Sequence, residues 1–288
     1  CYTEWDANGD GNRIWMSTSS DGGLTWGPRR QPANAATGIG GQPVVQPNGT
    51  VIVPIDNANE TALLSFRSTN GGASWESTRT ITTISHHTVA GSLRTGPLPS
   101  AEIDAAGKVY VAWQDCRFRS RCPANDIVFV SSTDGLTWSA IQRIPIDPVN
   151  SGIEHMIPGL AVDPATSGAT GKLALAYYYY PAARCNSSTC SLRVGWTVSS
   201  NGGATWTSGV QLAGSSTMSL SWLPNTTQGR MAGDYISSSF VNGTAIPVFT
   251  DATAPSGSTF NQRMVAGSAL TTSLGLAATD ATALNPNA

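Results

Sequence analysis

The chain has 288 residues, Lys+Arg 16 against Asp+Glu 18, and only 12% of its residues are charged. A net charge of −2 offers no basic face for nucleic acid or for an anionic membrane surface. No apolar run approaches the length of a membrane span, so none is expected.

Taken in chain order, residues 1–6 read as a second strand of a sheet, so the chain starts inside a repeat. Asp6, Asn8, Asp10 and Gly11 then imitate the start of a calcium loop. Ser17 stands where that loop needs its glutamate, so an ordinary Asn/Gly turn is expected over a calcium site, and no cofactor is expected. Residues 19–26 (SSDGGLTW) form the first copy of a signature that recurs at 68–75 (STNGGASW), 131–138 (SSTDGLTW) and 199–206 (SSNGGATW). Before the second copy come strand-like residues 42–47, a turn at Asn48-Gly49 and strand 51–56. Before the third come 101–104, a turn ending at Gly107 and strand 109–115. Before the fourth come 157–162, a Gly-rich turn and strand 173–180. After it come 231–237, a turn at Asn242-Gly243 and strand 245–251. No long stretch carries helical periodicity, so the fold class is all-β.

The signature is hairpin-turn chemistry. Glycine supplies the positive φ, short polar side chains tie back to the backbone, and the closing Trp tucks against the sheet. It resembles the Asp-box, or BNR repeat, of the sialidase superfamily. The resemblance implies a sialidase-like β-propeller in which boxes join third to fourth strands on the face away from the active site. It also implies a single domain over residues 1–288, N-terminally incomplete in a six-bladed ring with about five blades readable. The alternative is a five-bladed ring closed by a strand within residues 268–288, since a propeller must remove its open edges.

Cys116 with Cys122, and Cys185 with Cys190, bracket two short loops after second strands. No neighbouring His completes a zinc set, so two small disulfide clasps are expected, and with them a secreted, extracellular chain. Cys1 is left over. Sequons begin at Asn48, Asn59, Asn186, Asn225 and Asn242, and no leader peptide is written in the sequence, as in a processed chain.

Chemistry is expected on the face opposite the boxes, in residues that break the repeat. Asp6, Asp56, Asp115 and Asp251 all end second strands and read as a recurring rim carboxylate. Asp115 stands apart because Arg117, Arg119 and Arg121 follow it. Segments entering first strands hold His86, His87, His155, Arg94, Glu154, Arg230, Asp234 and Tyr235, and Trp222 lies on the same face, where it can stack on a sugar. Carried over from sialidases residue by residue, Arg94, Arg117 and Arg230 are the carboxylate clamp. Glu154 activates Tyr235 as nucleophile, and Asp115 is the general acid/base. The Arg-Ile-Pro of that family is met only at Arg143–Pro145, after a box, where it matches in letters alone. His86, His87, His155, Trp222 and Asp234 complete the expected substrate-binding set. Three readings follow: an exo-glycosidase of sialidase type on acidic terminal sugars of glycans, a uronate-directed polysaccharide lyase moving protons through His and Tyr, and a glycan-binding propeller without catalysis.

Overall fold

Short β-branched runs between Gly, Asn and Pro turns have one stable outcome, antiparallel hairpins joined in series. The computed structural model describes residues 2–4, 11–212, 214–267 and 270–271. Cys1, Asp6, Asp10 and most of the tail expected at 268–288 therefore lie outside the described residues.

The chain opens with a hairpin of β1 (Tyr2–Glu4) and β2 (Arg13–Trp15), which is edged by backbone bridges to Arg30 and Thr37. Two four-stranded meanders follow. The first is β3 (Val44–Val45), β4 (Val51–Asp56), β5 (Ala62–Ser68) and β6 (Arg79–Thr83). The second is β7 (Ser100–Ile103), β8 (Val109–Asp115), β9 (Asp126–Ser132) and β10 (Gln142–Arg143). The next sheet is β11 (Glu154–Val162), β12 (Leu173–Tyr180), β13 (Ser191–Ser199) and β14 (Val210–Gln211), with β15 (Met218–Ser219) on the outer edge of β13. A small hairpin of β16 (Asn225–Thr226) and β17 (Gly229–Arg230) leads into the last sheet. That sheet is β18 (Ser237–Val241), β19 (Thr244–Ser256) and β20 (Thr259–Ala266), with β21 (Leu270–Thr271) continuing alongside β19. All named strand pairs are antiparallel, and the architecture is that of a sialidase-like β-propeller.

Cores lie between successive sheets because each strand alternates its faces. On β8, Val109, Val111 and Trp113 face the preceding sheet, while Tyr110 and Ala112 face the following one. The run Tyr177–Tyr180 on β12 divides the same way. Tyr177 and Tyr179 belong to one core, Tyr178 and Tyr180 to the next, and all four are buried.

The boxes join β5 to β6, β9 to β10 and β13 to β14. In the fourth, Ser199 Oγ donates to Asn201 Oδ1 at 3.0 Å and accepts from Gly203 N at 3.0 Å, while Asn201 Oδ1 accepts from Thr205 N at 2.9 Å. The second repeats this with Ser68, Asn70, Gly72 and Ser74. The third is one glycine shorter. Ser132, not Ser131, binds Asp134 and Gly135 N, at 3.1 and 2.8 Å, which shifts the motif by one residue from the alignment of its letters. Each box also presses on the preceding sheet. A Cβ on Gly135 (φ 69) would lie 2.8 Å from Ile52, and one on Gly203 (φ 86) 2.9 Å from Phe129. Glycine is required there twice over, for its backbone angle and for its missing side chain. The turns joining first to second strands share this face: Gly202 N donates to Gly171 O at 2.8 Å, and Gln46 Nε2 to Gly107 O at 2.6 Å and Thr133 O at 2.8 Å.

Candidate functional site

On the opposite face, loops entering first strands and loops joining second to third strands converge. The segment 84–99, entering β7, and the segment 219–236, entering β18, meet there. Leu93 pairs in parallel with Arg230, and Arg94 N donates to Arg230 O at 2.7 Å. Gly229 (φ 113) permits this approach, since a Cβ would strike Ser92 O. Beside the junction is a cavity of about 620 Å³ lined by Arg94, Asp234, Tyr235, Glu60, Thr95 and Gln228, among others.

Three residues expected from the sequence meet in this cavity. Arg94 Nη2 donates to Asp234 Oδ2 at 2.7 Å, both side chains remaining partly exposed, and Tyr235 follows with half its surface open. Burial raises the Tyr235 phenol, the Asp234 charge adds to this, and Arg94 partly opposes it. Glu60 was not expected. It lies in the loop joining β4 to β5, in left-handed backbone (φ 57), with its carboxylate against Gly96. Its signal was positional, because second-to-third-strand loops open on this face. Arg230 stands at the junction, but its Nη1 is spent on Leu223 O at 2.8 Å. Trp222, in the turn Leu220–Trp222, is partly buried against the core between the last two sheets and does not line the cavity.

Asp115 and Arg117 are brought together, but with each other. Arg117 Nε donates to Asp115 Oδ1 at 2.9 Å and Nη2 to Oδ2 at 2.7 Å, and Arg117 also reaches Thr83 O. Ser85 N, Trp113 Nε1 and Arg117 N bond the same carboxylate, which is fully buried. A carboxylate receiving five donors has no lone pair left for proton transfer, and its arginine is not free to clamp a ligand. Asp251 shares the tying role, accepting from Ser216 N at 2.9 Å. Asp56 does not. It lies on the other face of its strand, with Ile52, fully buried with neither oxygen bonded, and burial with help from Glu60 raises it to about 8.

Glu154, expected to serve Tyr235, faces His87 instead. Asn125 N donates to Glu154 Oε1 at 2.7 Å, and Glu154 Oε2 lies 2.6 Å from His87 Nδ1, off the ring-nitrogen axis of a formed hydrogen bond. Asn125 also fixes His87 by its backbone, accepting from His87 N at 2.7 Å and donating to His87 O at 2.8 Å. Burial raises Glu154 to about 8 and lowers His87. His86 is partly exposed on the same loop. His155 is wholly interior: Nδ1 sits 3.0 Å from Asn125 O and the ring packs on Tyr177.

Both clasps are closed, Cys116–Cys122 and Cys185–Cys190, with Cα separations of 4.9 and 5.0 Å. The first directs Arg119 inward. Arg119 and Arg143 both bond Asp126 and Asp147, at 2.7 to 3.2 Å, in a site closed to solvent. Burial alone would raise Asp126, but the hydrogen bonds from Arg143 and Arg119 outweigh it and hold the carboxyl low. Asp126, Asp147 and His155 have the donor types and spacing of a metal site. Two guanidinium groups already occupy the carboxylates, so the cluster reads as a closed ion-pair network. Among the described helices, none is long and apolar enough to cross a membrane.

No curated protein matches the chain in sequence. Among solved structures it is similar to an α-L-arabinanase of Penicillium chrysogenum complexed with arabinobiose, at 13% identity and a TM-score of 0.52 over 95% of this chain and 89% of that one. It is similar to a protein of unknown function from Dyadobacter fermentans, at 14% identity and TM-score 0.51 over 93% and 71%. A Hadza microbial sialidase aligns at 15% identity and TM-score 0.50 over 85% of this chain but 47% of its own length. Residues 2–159 match the model of the BNR repeat-like domain, more than half of the chain, and the chain belongs to that family.

Proposed function

We propose that the chain is a secreted, carbohydrate-active enzyme, an exo-acting glycosidase that takes the terminal sugar of a glycan into the cavity beside the Leu93–Arg230 junction. The observation that carries this reading is the convergence of Arg94, Asp234, Tyr235 and Glu60 around one open cavity of about 620 Å³. Tyr235 is the candidate nucleophile, a phenol being suited to an anionic sugar that would repel a carboxylate. Asp234 holds Arg94 so that the rest of its fork faces the ligand. An acidic sugar is supported by Arg94, with Arg230 on the adjoining strand, rather than by three arginines, since Arg117 is committed to Asp115. Two closed disulfides support export. The lyase reading keeps His86 and His87 on this face but loses His155 to the interior.

The test is a panel of fluorogenic sialosides, uronides and arabinofuranosides, with absorbance near 235 nm followed on uronate polymers. Release from a terminal acidic glycoside, lost in Tyr235→Phe, supports the reading. Binding to glycans without any turnover would replace it by the non-catalytic one, and an unsaturated product by the lyase.

A further inference from the structure

The segment 219–236 lines two hollows, not one. Asp234 and Tyr235 face the cavity described above, while Met231, Ala232 and Gly233, immediately before them, line a second hollow of about 310 Å³. The lining changes at Gly233, whose φ of 126° is freely open only to glycine. Gly233 and Asp234 are chain neighbours, about 3.8 Å apart at Cα, so a single backbone run divides the two. The other wall of the hollow is the last sheet, where Thr250 on β19 and Met264 on β20 are cross-strand partners. Pro224 completes the apolar lining, and Met264 has 63% of its surface exposed. The amide and hydroxyl donors are committed. Gln262 Nε2 donates to Met231 O at 3.0 Å and Ala232 O at 3.3 Å, and Thr250 Oγ1 donates to Met264 Sδ at 3.3 Å. Arg263 also borders the hollow, but it is largely exposed and its guanidinium lies 3.6 Å from Asp251 Oδ2. No aromatic ring among the described residues lines this hollow, so it lacks both the stacking platform and the convergent donors that hold a sugar. By strand alternation Phe260 shares the face of Gln262 and Met264, and it is 45% exposed, so the apolar strip runs on past the hollow.

We propose that this hollow is an aglycone subsite and that its ligand is an alkyl chain, the apolar tail of a glycoside whose sugar occupies the cavity. The inference rests on the glycosidase reading above and narrows its substrate class to glycosides with an aliphatic aglycone. The sugar sits with Arg94, Asp234 and Tyr235, and the tail crosses the backbone at Gly233 to lie on Met231 and Met264. Unbranched, polarizable thioethers adapt to chains of different length, where a rigid aromatic wall would select one shape. Covering the exposed Met264 removes apolar surface from water on both partners, which is the source of the affinity.

The experiment measures wild type, Met264→Ser and Met264→Leu on methyl, butyl and octyl sialosides and glucuronides. In wild type, kcat/KM should rise about two- to fourfold for each methylene that finds room in the hollow. Met264→Ser should flatten that gradient and leave turnover of the methyl glycoside unchanged, whereas Met264→Leu should keep it. Met264 is exposed, so all three proteins should melt alike. A flat gradient in wild type, a gradient that survives Met264→Ser, or equal losses on methyl and octyl glycosides overturns the subsite while leaving the glycosidase reading intact. A change of oligomeric state in Met264→Ser with the gradient unaltered also overturns it, and makes the hollow a contact between copies. A wild type inert on every glycoside sinks the glycosidase reading. The subsite is then judged by calorimetry with the uncleaved methyl and octyl thioglycosides of the same sugars, where equal affinity or no binding rejects it and tighter octyl binding, lost in Met264→Ser, sustains it.

Discussion

Two of the arginine–aspartate groups among the described residues have opposite lives. Arg119 and Arg143 with Asp126 and Asp147 are interior, each carboxylate shared by two guanidinium groups. Arg94 with Asp234 is a single pair at 2.7 Å on the wall of an open cavity, with a tyrosine and a glutamate beside it. The residue types are the same, so composition cannot separate a structural ion-pair network from a ligand site. What separates them is saturation and access. A closed network has spent its donors on itself, whereas an open pair keeps a free edge for a guest.

The largest expected effect comes from breaking the interior group. Arg119→Ala leaves Asp126 and Asp147 with one cation between them in a site closed to water, which costs about 3–5 kcal/mol. Urea unfolding of the two proteins measures this, and a loss below about 1 kcal/mol would mean the cluster is wetter than its geometry says.

Asp56 lies between the two extremes, being buried like the first group and unsaturated like the second. Its folded-state pKa of about 8 exceeds that of the unfolded chain. The unfolded state therefore releases its proton first as pH rises, and the stability present below the unfolded pKa is lost up to the folded one. Wild-type stability should fall between about pH 4 and pH 8, with Glu154, also raised to about 8, contributing in the same direction. Asp56→Asn should flatten that slope and alter stability at pH 8 by about 1–3 kcal/mol. Thermal melts from pH 4 to pH 9 decide it, and parallel curves for the two proteins would show that Asp56 does not carry the dependence.

The boxes were legible because turn chemistry is local: Ser, Asp or Asn, Gly and Thr lie within eight residues and bond one another. The third box shows the limit of letters, since Ser131 and Ser132 are adjacent and only the lost glycine tells which one turns. The face opposite the boxes was legible as a face, and the non-repeating residues Arg94, Asp234 and Tyr235 line one cavity there. Pairings were not legible. Glu154 with His87 depends on which distant loops pack together, and although Arg117 is only two residues from Asp115, nothing in the letters says that it folds back on that carboxylate rather than facing a ligand. His155 reads like His87 in sequence, yet its strand position turns it into the core against Tyr177. Alternation along β11 carries that information only once the strand's start is known.

The smallest expected effect on stability should accompany a large effect on function. Arg94 and Asp234 are both partly exposed, so solvent screens their attraction. A double-mutant cycle of Arg94→Ala and Asp234→Ala should give a coupling of about 0.2–1 kcal/mol in urea unfolding, far below that of the interior group. The same Arg94→Ala protein should lose turnover of an acidic glycoside mainly through KM, because the arginine holds the ground state and the transition state alike. A charged clamp and an uncharged pocket are then told apart by repeating the assay with a neutral sugar. If Arg94→Ala weakens both sugars equally, the arginine shapes the cavity rather than reading a charge. If only the acidic sugar suffers, the open pair is a recognition site, and its low contribution to stability is the consequence of leaving one edge of the guanidinium free.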